Sequence, residues 1–347
     1  MRVLIIKTTY LDELILTLPV LDYLHGVCRG IEIDWLVDES CRELLTDHPL
    51  VCRLLTSRWG EWRGKPLSMK NWREIADLKH TVQERRYDMV FDLEGTLLSG
   101  IVSRLTGCRR RYGLDCELVA EPVNLRFDCN RVPMRKQDRH LTDRALRMVS
   151  VPFGRDYAGQ LYSAEIPIHP EEETAAALFM ATLSDGLVFL FHTGGDARTR
   201  LWHEAGWIEL GRELLESFGD ATILISGNDG RGGAEQIAQG VGRQTRLLPS
   251  LSFHGLAAIM KKVDLVVGGD CPPLLLAAAL GTPTVSFYRS TDGASRAPRG
   301  ELHRFIQSPM KCSPCLEQGC DNDAACCESI KCGELATAVR GILIPHV

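Results

Sequence analysis

The chain has 347 residues, of which 45% are hydrophobic and 24% charged, with a formal net charge of -5. That length suits two ordinary domains, and the acidic balance gives nucleic acid no electrostatic footing as a partner. No apolar run approaches the roughly 18 residues that span a bilayer, and the opening strand pattern lacks the small-residue site of a cleavable signal, so the reading is a cytoplasmic protein with reduced thiols.

The first half alternates short β-branched runs with helical patterns. VLIIK (3–7), IEIDWLV (31–37), VCRLL (51–55) and DMVFDL (88–93) read as buried strands, with helices from Asp12 to Leu24 and from Trp72 to Arg86. Asp12 and Glu13 fall where the first strand hands over to a helix. Acids in a first helical turn complement the exposed N–H groups there. Glu13 also lies just past a strand end, and ligands of doubly wound sheets bind beyond the carboxyl ends of their strands.

After Pro167, Pro170 and the acidic run Glu171–Glu173 the rhythm begins again. LVFLFH (187–192), ATILIS (221–226), DLVVGG (264–269) and PTVSFY (283–288) read as strands, with helices at Ala205–Ser217, Phe253–Lys262 and Pro272–Leu280. This βαβ repetition predicts two parallel-sheet domains, 1–168 and 169–332, facing each other across a cleft, followed by a terminal helix in 333–347 that packs back on the first domain.

Three strand-to-helix turns of the second half carry chemistry. HTGGDARTRLWHEAGW (192–207) brings Thr193, Gly194, Arg198 and Arg200 to a helix start, a combination suited to a diphosphate. Solvated arginines beside a glycine turn are the plainer alternative. In SGNDG (226–230), Asn228 could bond a ribose or base, and turn chemistry accounts for it equally well. In GGDCPPLLLAAALGTPTVSFY (268–288), a buried strand delivers Asp270 and Cys271 to its carboxyl end, where an acid can accept sugar hydroxyl hydrogen bonds.

Together with FDLEGTLLSG (91–100) and AEPVNLRF (120–127), these segments resemble glycosyltransferase family 9, the ADP-heptose:lipopolysaccharide heptosyltransferases, from Met1 to about Val339. The resemblance implies an α/β GT-B fold of two Rossmann-like domains. It also implies metal-independent, inverting transfer of heptose from ADP-heptose to a glycolipid acceptor at the inner membrane face. By the same resemblance Glu13 is the base, a glutamate where the family has aspartate. Thr193, Gly194, Arg200, Asn228, Asp270 and Cys271 bind the donor, and Thr9, Glu94 and Ser99 the acceptor.

Several positions depart from the family pattern. Residues 270–275 keep the acid and lose a hydroxyl, a glycine and a histidine, while Leu98 and Ala120 stand where cations are expected. Two alternatives follow: a non-catalytic member that binds a sugar nucleotide or a partner protein, and a member that uses a different donor.

The tail KCSPCLEQGCDNDAACCESIKC (311–332) opens with a C-x2-C spacing. Cys312, Cys315, Cys320 and Cys326 are compatible with a structural zinc or iron–sulfur site, and also with a loop of reduced thiols or with disulfides formed after isolation.

Overall fold

Eight runs expected to be buried strands form strands, and four further short strands join them. The computed structural model describes residues 1–64, 69–127, 130–227 and 233–344. The first sheet contains β1 (Arg2–Ile6), β2 (Glu32–Asp38), β3 (Arg53–Ser57), β4 (Met89–Asp92), β5 (Arg111–Leu114) and β6 (Asn130–Val132). The second contains β7 (Val188–His192), β8 (Thr222–Ser226), β9 (Thr245–Leu247), β10 (Leu265–Gly269), β11 (Thr284–Tyr288) and β12 (His303–Gln307). The four strands that patterning missed, β5, β6, β9 and β12, each carry an arginine, and three of them lie at sheet edges where burial is partial.

The sheet orders are β3-β2-β1-β4-β5-β6 and β12-β11-β10-β7-β8-β9, and every pairing is parallel. Both sheets are therefore doubly wound, with strand order reversing between β1 and β4 in one and between β7 and β10 in the other. Central strands are covered on both faces, which is why Val3–Ile6 and Leu265–Val267 are fully buried without alternation. The chain divides into two compact units, Met1–Pro167 and Ile168–Val347.

The helix expected over Asp12–Leu24 is two helices, Leu11–Thr17 and Pro19–Val27. Proline at 19 has no N–H to continue the first, and it starts the second at a position where none is needed. The last described helix is Cys332–Leu343. It buries Leu335, Ala336 and Val339 in the core of the second unit, alongside Trp207, Leu210 and Val285, so its apolar face is taken up there.

Candidate active site

In the first unit the chain leaves β1 as Lys7-Thr8-Thr9 and leaves β4 as Leu93-Glu94. Ile6 pairs with Asp92 across the reversal, so the two exits lie side by side. Asp92, fully buried, shapes the second exit. Its Oδ1 accepts from the Glu94 and Gly95 N–H groups at 3.1 and 3.0 Å, and its Oδ2 from Ser99 Oγ at 2.9 Å and Asn124 Nδ2 at 2.7 Å.

Glu94 is thereby aimed at the first exit. Its Oε2 accepts from the Thr8 and Thr9 N–H groups at 2.9 and 3.4 Å, and its Oε1 from the Thr9 hydroxyl. Lys7 Nζ lies 3.4 Å from Glu94 Oε2 and 2.6 Å from Glu13 Oε2. One buried ammonium is therefore shared by two carboxylates. Burial by itself favours a neutral amine, but the charges and hydrogen bonds of Glu94 and Glu13 outweigh it and hold the Lys7 pKa above its ordinary value. Burial works against the Glu94 carboxylate too, and Lys7 with the threonine donors overcomes it, leaving that pKa lowered.

Glu13 differs from Glu94 in access. Its side chain is 32% exposed, against 5% for Glu94. The residue before its helix, Tyr10, has φ 62° and ψ 100°, a strained conformation for a bulky side chain and one that tends to be retained at functional turns. Lys7, Glu13, Glu94, Leu118, Ala120 and Arg144 line a cavity of about 250 Å³. Arg144 comes from the helix Leu141–Ser150, outside every motif, and brings a cation to the cavity that Ala120 also lines.

Ser99 does not reach this group. It is fully buried, and its hydroxyl donates to Asp92 and accepts from the Thr96 N–H as half of a capping box on the helix Leu97–Leu105. The Thr96-x-x-Ser99 spacing is the sequence signal for that role. Leu98 packs against the core of its unit.

The second unit repeats the topology with the charges reversed. His192 of β7 pairs with Gly268 of β10, so Thr193 and Asp270 leave adjacent strands. Asp270, 1% exposed at its side chain, lies 3.6 Å from Arg200 Nη1, and its Oδ1 accepts from Arg296 Nε at 3.4 Å. Its Oδ2 has no hydrogen-bond donor among the described residues. Beside it Tyr288 is fully buried, and burial followed by the Asp270 charge raises its phenol pKa well above the ordinary value. Arg200 Nη1 also meets Asp196 Oδ1 at 3.2 Å.

Glycines set the backbone spacing here. Gly227, at φ +118°, approaches the Thr193–Gly194 turn so closely that a Cβ would lie 2.6 Å from the Gly194 nitrogen. A Cβ on Gly269 would lie 2.7 Å from the Arg200 carbonyl oxygen. Thr193 is buried and bonds Ser226 O through both its N–H and its hydroxyl. Cys271 is buried at the N-cap of the helix Pro272–Ala279. Asn228 lies outside the described residues.

Among the described residues no three His, Cys, Asp or Glu side chains gather to hold a metal ion, and Cys312, Cys315, Cys320 and Cys326 are free thiols. The segment bonds to a neighbouring loop, where the Cys315 and Leu316 N–H groups donate to Ser290 O at 3.0 and 2.8 Å, and within itself, where Cys320 Sγ accepts from the Asn322 N–H.

Residues 75–325 match the family model for glycosyltransferase family 9 (heptosyltransferase). The chain is 30% identical over 329 residues to lipopolysaccharide heptosyltransferase 1 of Pseudomonas aeruginosa, spanning 92% of this chain and 87% of that protein. It is 27% identical over 319 residues to the Escherichia coli K12 protein of the same name, 90% and 95% of the two chains. The solved structure of E. coli heptosyltransferase WaaC with ADP-2-deoxy-2-fluoro heptose superposes with a TM-score of 0.76 at 23% identity, covering 98% of this chain and 99% of that one.

Proposed function

The chain belongs to glycosyltransferase family 9, and on that premise we propose that it transfers heptose, with inversion, from ADP-heptose to a hydroxyl of the lipopolysaccharide core or a related cell-envelope glycan. The heptosyltransferase names of its relatives support the reaction, and the ADP-heptose analogue held by WaaC supports the donor class. No described helix is long and apolar enough to cross a membrane, so a lipid-anchored acceptor would be met at the membrane face.

In the proposed reaction Glu13 takes the proton of the acceptor hydroxyl as its oxygen attacks the anomeric carbon. The bond from that carbon to the donor's diphosphate breaks, and the diphosphate leaves with the electron pair. Arg200 and Arg296 would stabilise the charge that develops on the leaving group. Lys7 stays protonated throughout and holds Glu13 in place without removing it from the cavity. Arg144 would face an acidic group of the acceptor, supplying charge near the position where Ala120 has none.

The observation that carries this reading is the contrast between two carboxylates on one lysine: Glu94 is locked by backbone donors, while Glu13 is open to the cavity. A general base needs that access. Retention of a carboxylate at 13 and a guanidinium at 200, each at the strand-order reversal of its own sheet, disfavours the non-catalytic alternative.

The test is transfer from ADP-heptose to a Kdo-containing lipid A acceptor, followed by ADP release and by the anomeric configuration of the product. Formation of the inverted glycoside is expected. Absence of product with ADP-heptose, together with turnover of a GDP-, UDP- or dTDP-sugar, would transfer the reading to another donor.

A further inference from the structure

The turn Arg198–Arg200 presents Arg200 to Asp270, yet it is a single turn of 3-10 helix following a glycine loop. Such a segment holds one conformation only if its surroundings impose it. The surroundings are Arg289, just past β11, and the cysteine-rich tail.

Arg289 is 2% exposed. Its Nη1 donates to the carbonyl of Arg198 at 3.2 Å and to that of Leu201, one on each side of the Arg200 residue. Its Nη2 donates to Asp323 O at 2.6 Å and Asp323 Oδ1 at 2.5 Å. Asp323 Oδ2 in turn accepts from Arg198 Nε at 3.0 Å. The tail grips the turn a second time, where Thr199 Oγ1 donates to Glu317 O at 2.6 Å, and Ser290 Oγ donates to Thr199 Oγ1 at 3.2 Å. The Gly269 backbone closes the remaining side, with room for hydrogen only.

The geometry points to Arg289 and Asp323 as positioning residues for the donor: the tail, through Asp323 and the buried guanidinium, fixes the two carbonyls that bracket Arg200. This rests on the reading of Arg200 as a diphosphate ligand. It gives residues 311–332 a role in binding that needs no metal and no disulfide. Arg289 touches no substrate in this scheme. Its planar fork bridges three carbonyls and a carboxylate at once, which a lysine ammonium cannot reproduce.

Calorimetry with ADP tests it on the full chain, with Arg200→Ala, Asp323→Asn, Thr199→Val, Arg289→Lys and the doubles Arg200→Ala/Asp323→Asn and Arg200→Ala/Thr199→Val. Melting curves identify the variants that remain folded. Arg200→Ala is expected to weaken ADP binding by about tenfold or more, the effect of a lost charge-assisted contact. Asp323→Asn and Thr199→Val each weaken it about three- to tenfold with the acceptor KM unchanged, and Arg289→Lys weakens it as well, because an ammonium cannot bridge the same groups. In the Arg200→Ala background Asp323→Asn and Thr199→Val cost nothing further, because their effect passes through Arg200.

Equal losses from Asp323→Asn and Thr199→Val in both backgrounds, or no loss where Arg200→Ala shows one, would overturn the positioning role. Unchanged affinity in Arg200→Ala overturns the donor reading of Arg200 instead. If wild type binds none of ADP, GDP, UDP or dTDP, both fail together.

Discussion

The two units place opposite charge patterns on the same topological feature. Beyond β1 and β4, one buried ammonium is shared by two carboxylates; beyond β7 and β10, one buried carboxylate is approached by two guanidiniums. In each case the buried ion sits at the strand-order reversal, and the surplus charge stands on the more exposed partners, Glu13 in one unit and Arg200 in the other. A doubly wound sheet supplies the crevice, and the sign of its surplus charge decides whether the crevice suits proton removal or anion capture.

The sharpest way to break the comparison is at its surplus acid. Glu13→Gln is expected to lower turnover about 10²–10⁴-fold, the usual contribution of a general base, while ADP affinity stays as in wild type. Glu13→Asp retains the carboxylate and shortens its reach by one methylene, so a smaller loss is expected. Equal turnover of wild type and Glu13→Gln would reduce Glu13 to a helix-end acid.

The buried cation comes next. Lys7→Met removes the ammonium between Glu13 and Glu94 and leaves Glu94 buried as a charge, a change that typically costs about 3–5 kcal/mol. A denaturant midpoint that falls with unchanged slope is the expected signature. A midpoint within error of wild type would mean that the glutamates do not depend on Lys7, and the contrast between the units would lose its first half.

How much of this was legible in the chain depended on distance along it. β-branched runs and strand-end acids are local signals, so the doubly wound halves and the strand-end positions of Glu13 and Asp270 could be read directly. Lys7 closes its pair with Glu94, and Arg296 with Asp270, only after the sheet has assembled. Arg144 lies on an ordinary amphipathic helix, and no spacing marks it. Ser99 lies inside a motif that suggests a ligand contact, and its spacing from Thr96 gives the cap the structure shows. In the tail, the contacts to the Arg198–Arg200 turn come from a backbone carbonyl and Asp323, which cysteine spacing does not mark. The terminal helix showed an apolar face in sequence without showing which core would receive it.

A smaller effect separates the units by pH. The Glu94 pKa lies below the ordinary 4.5, so its contribution to stability is complete above that value and declines as pH falls through the lowered one. The Lys7 pKa lies above 10.5, so its contribution is complete below that and is lost only at more alkaline pH. Stability should therefore be insensitive to this pair near neutrality and fall below about pH 4.5. Melting temperatures of Glu94→Gln followed from pH 6 to 3 should show a shallower acid decline than wild type. Parallel curves would remove Glu94 from the linkage.

The smallest expected effect tests the second half of the comparison. Arg200 is held between Asp270, whose side chain is 1% exposed, and Asp196, whose side chain is 70% exposed. The two acids are not equivalent. An exposed pair four residues apart contributes about 0–1 kcal/mol, is screened by salt, and can be displaced by an incoming diphosphate. A buried carboxylate cannot be displaced so cheaply and instead fixes where the guanidinium lies. Asp196→Asn should then strengthen ADP binding by about two- to fivefold at low ionic strength, with the gain fading as salt is raised, because a competitor for Arg200 has gone. Asp270→Asn should weaken it, since Arg200 loses its anchor. Weaker binding in Asp196→Asn would make the exposed acid a second anchor, and the single buried ion would no longer define this crevice.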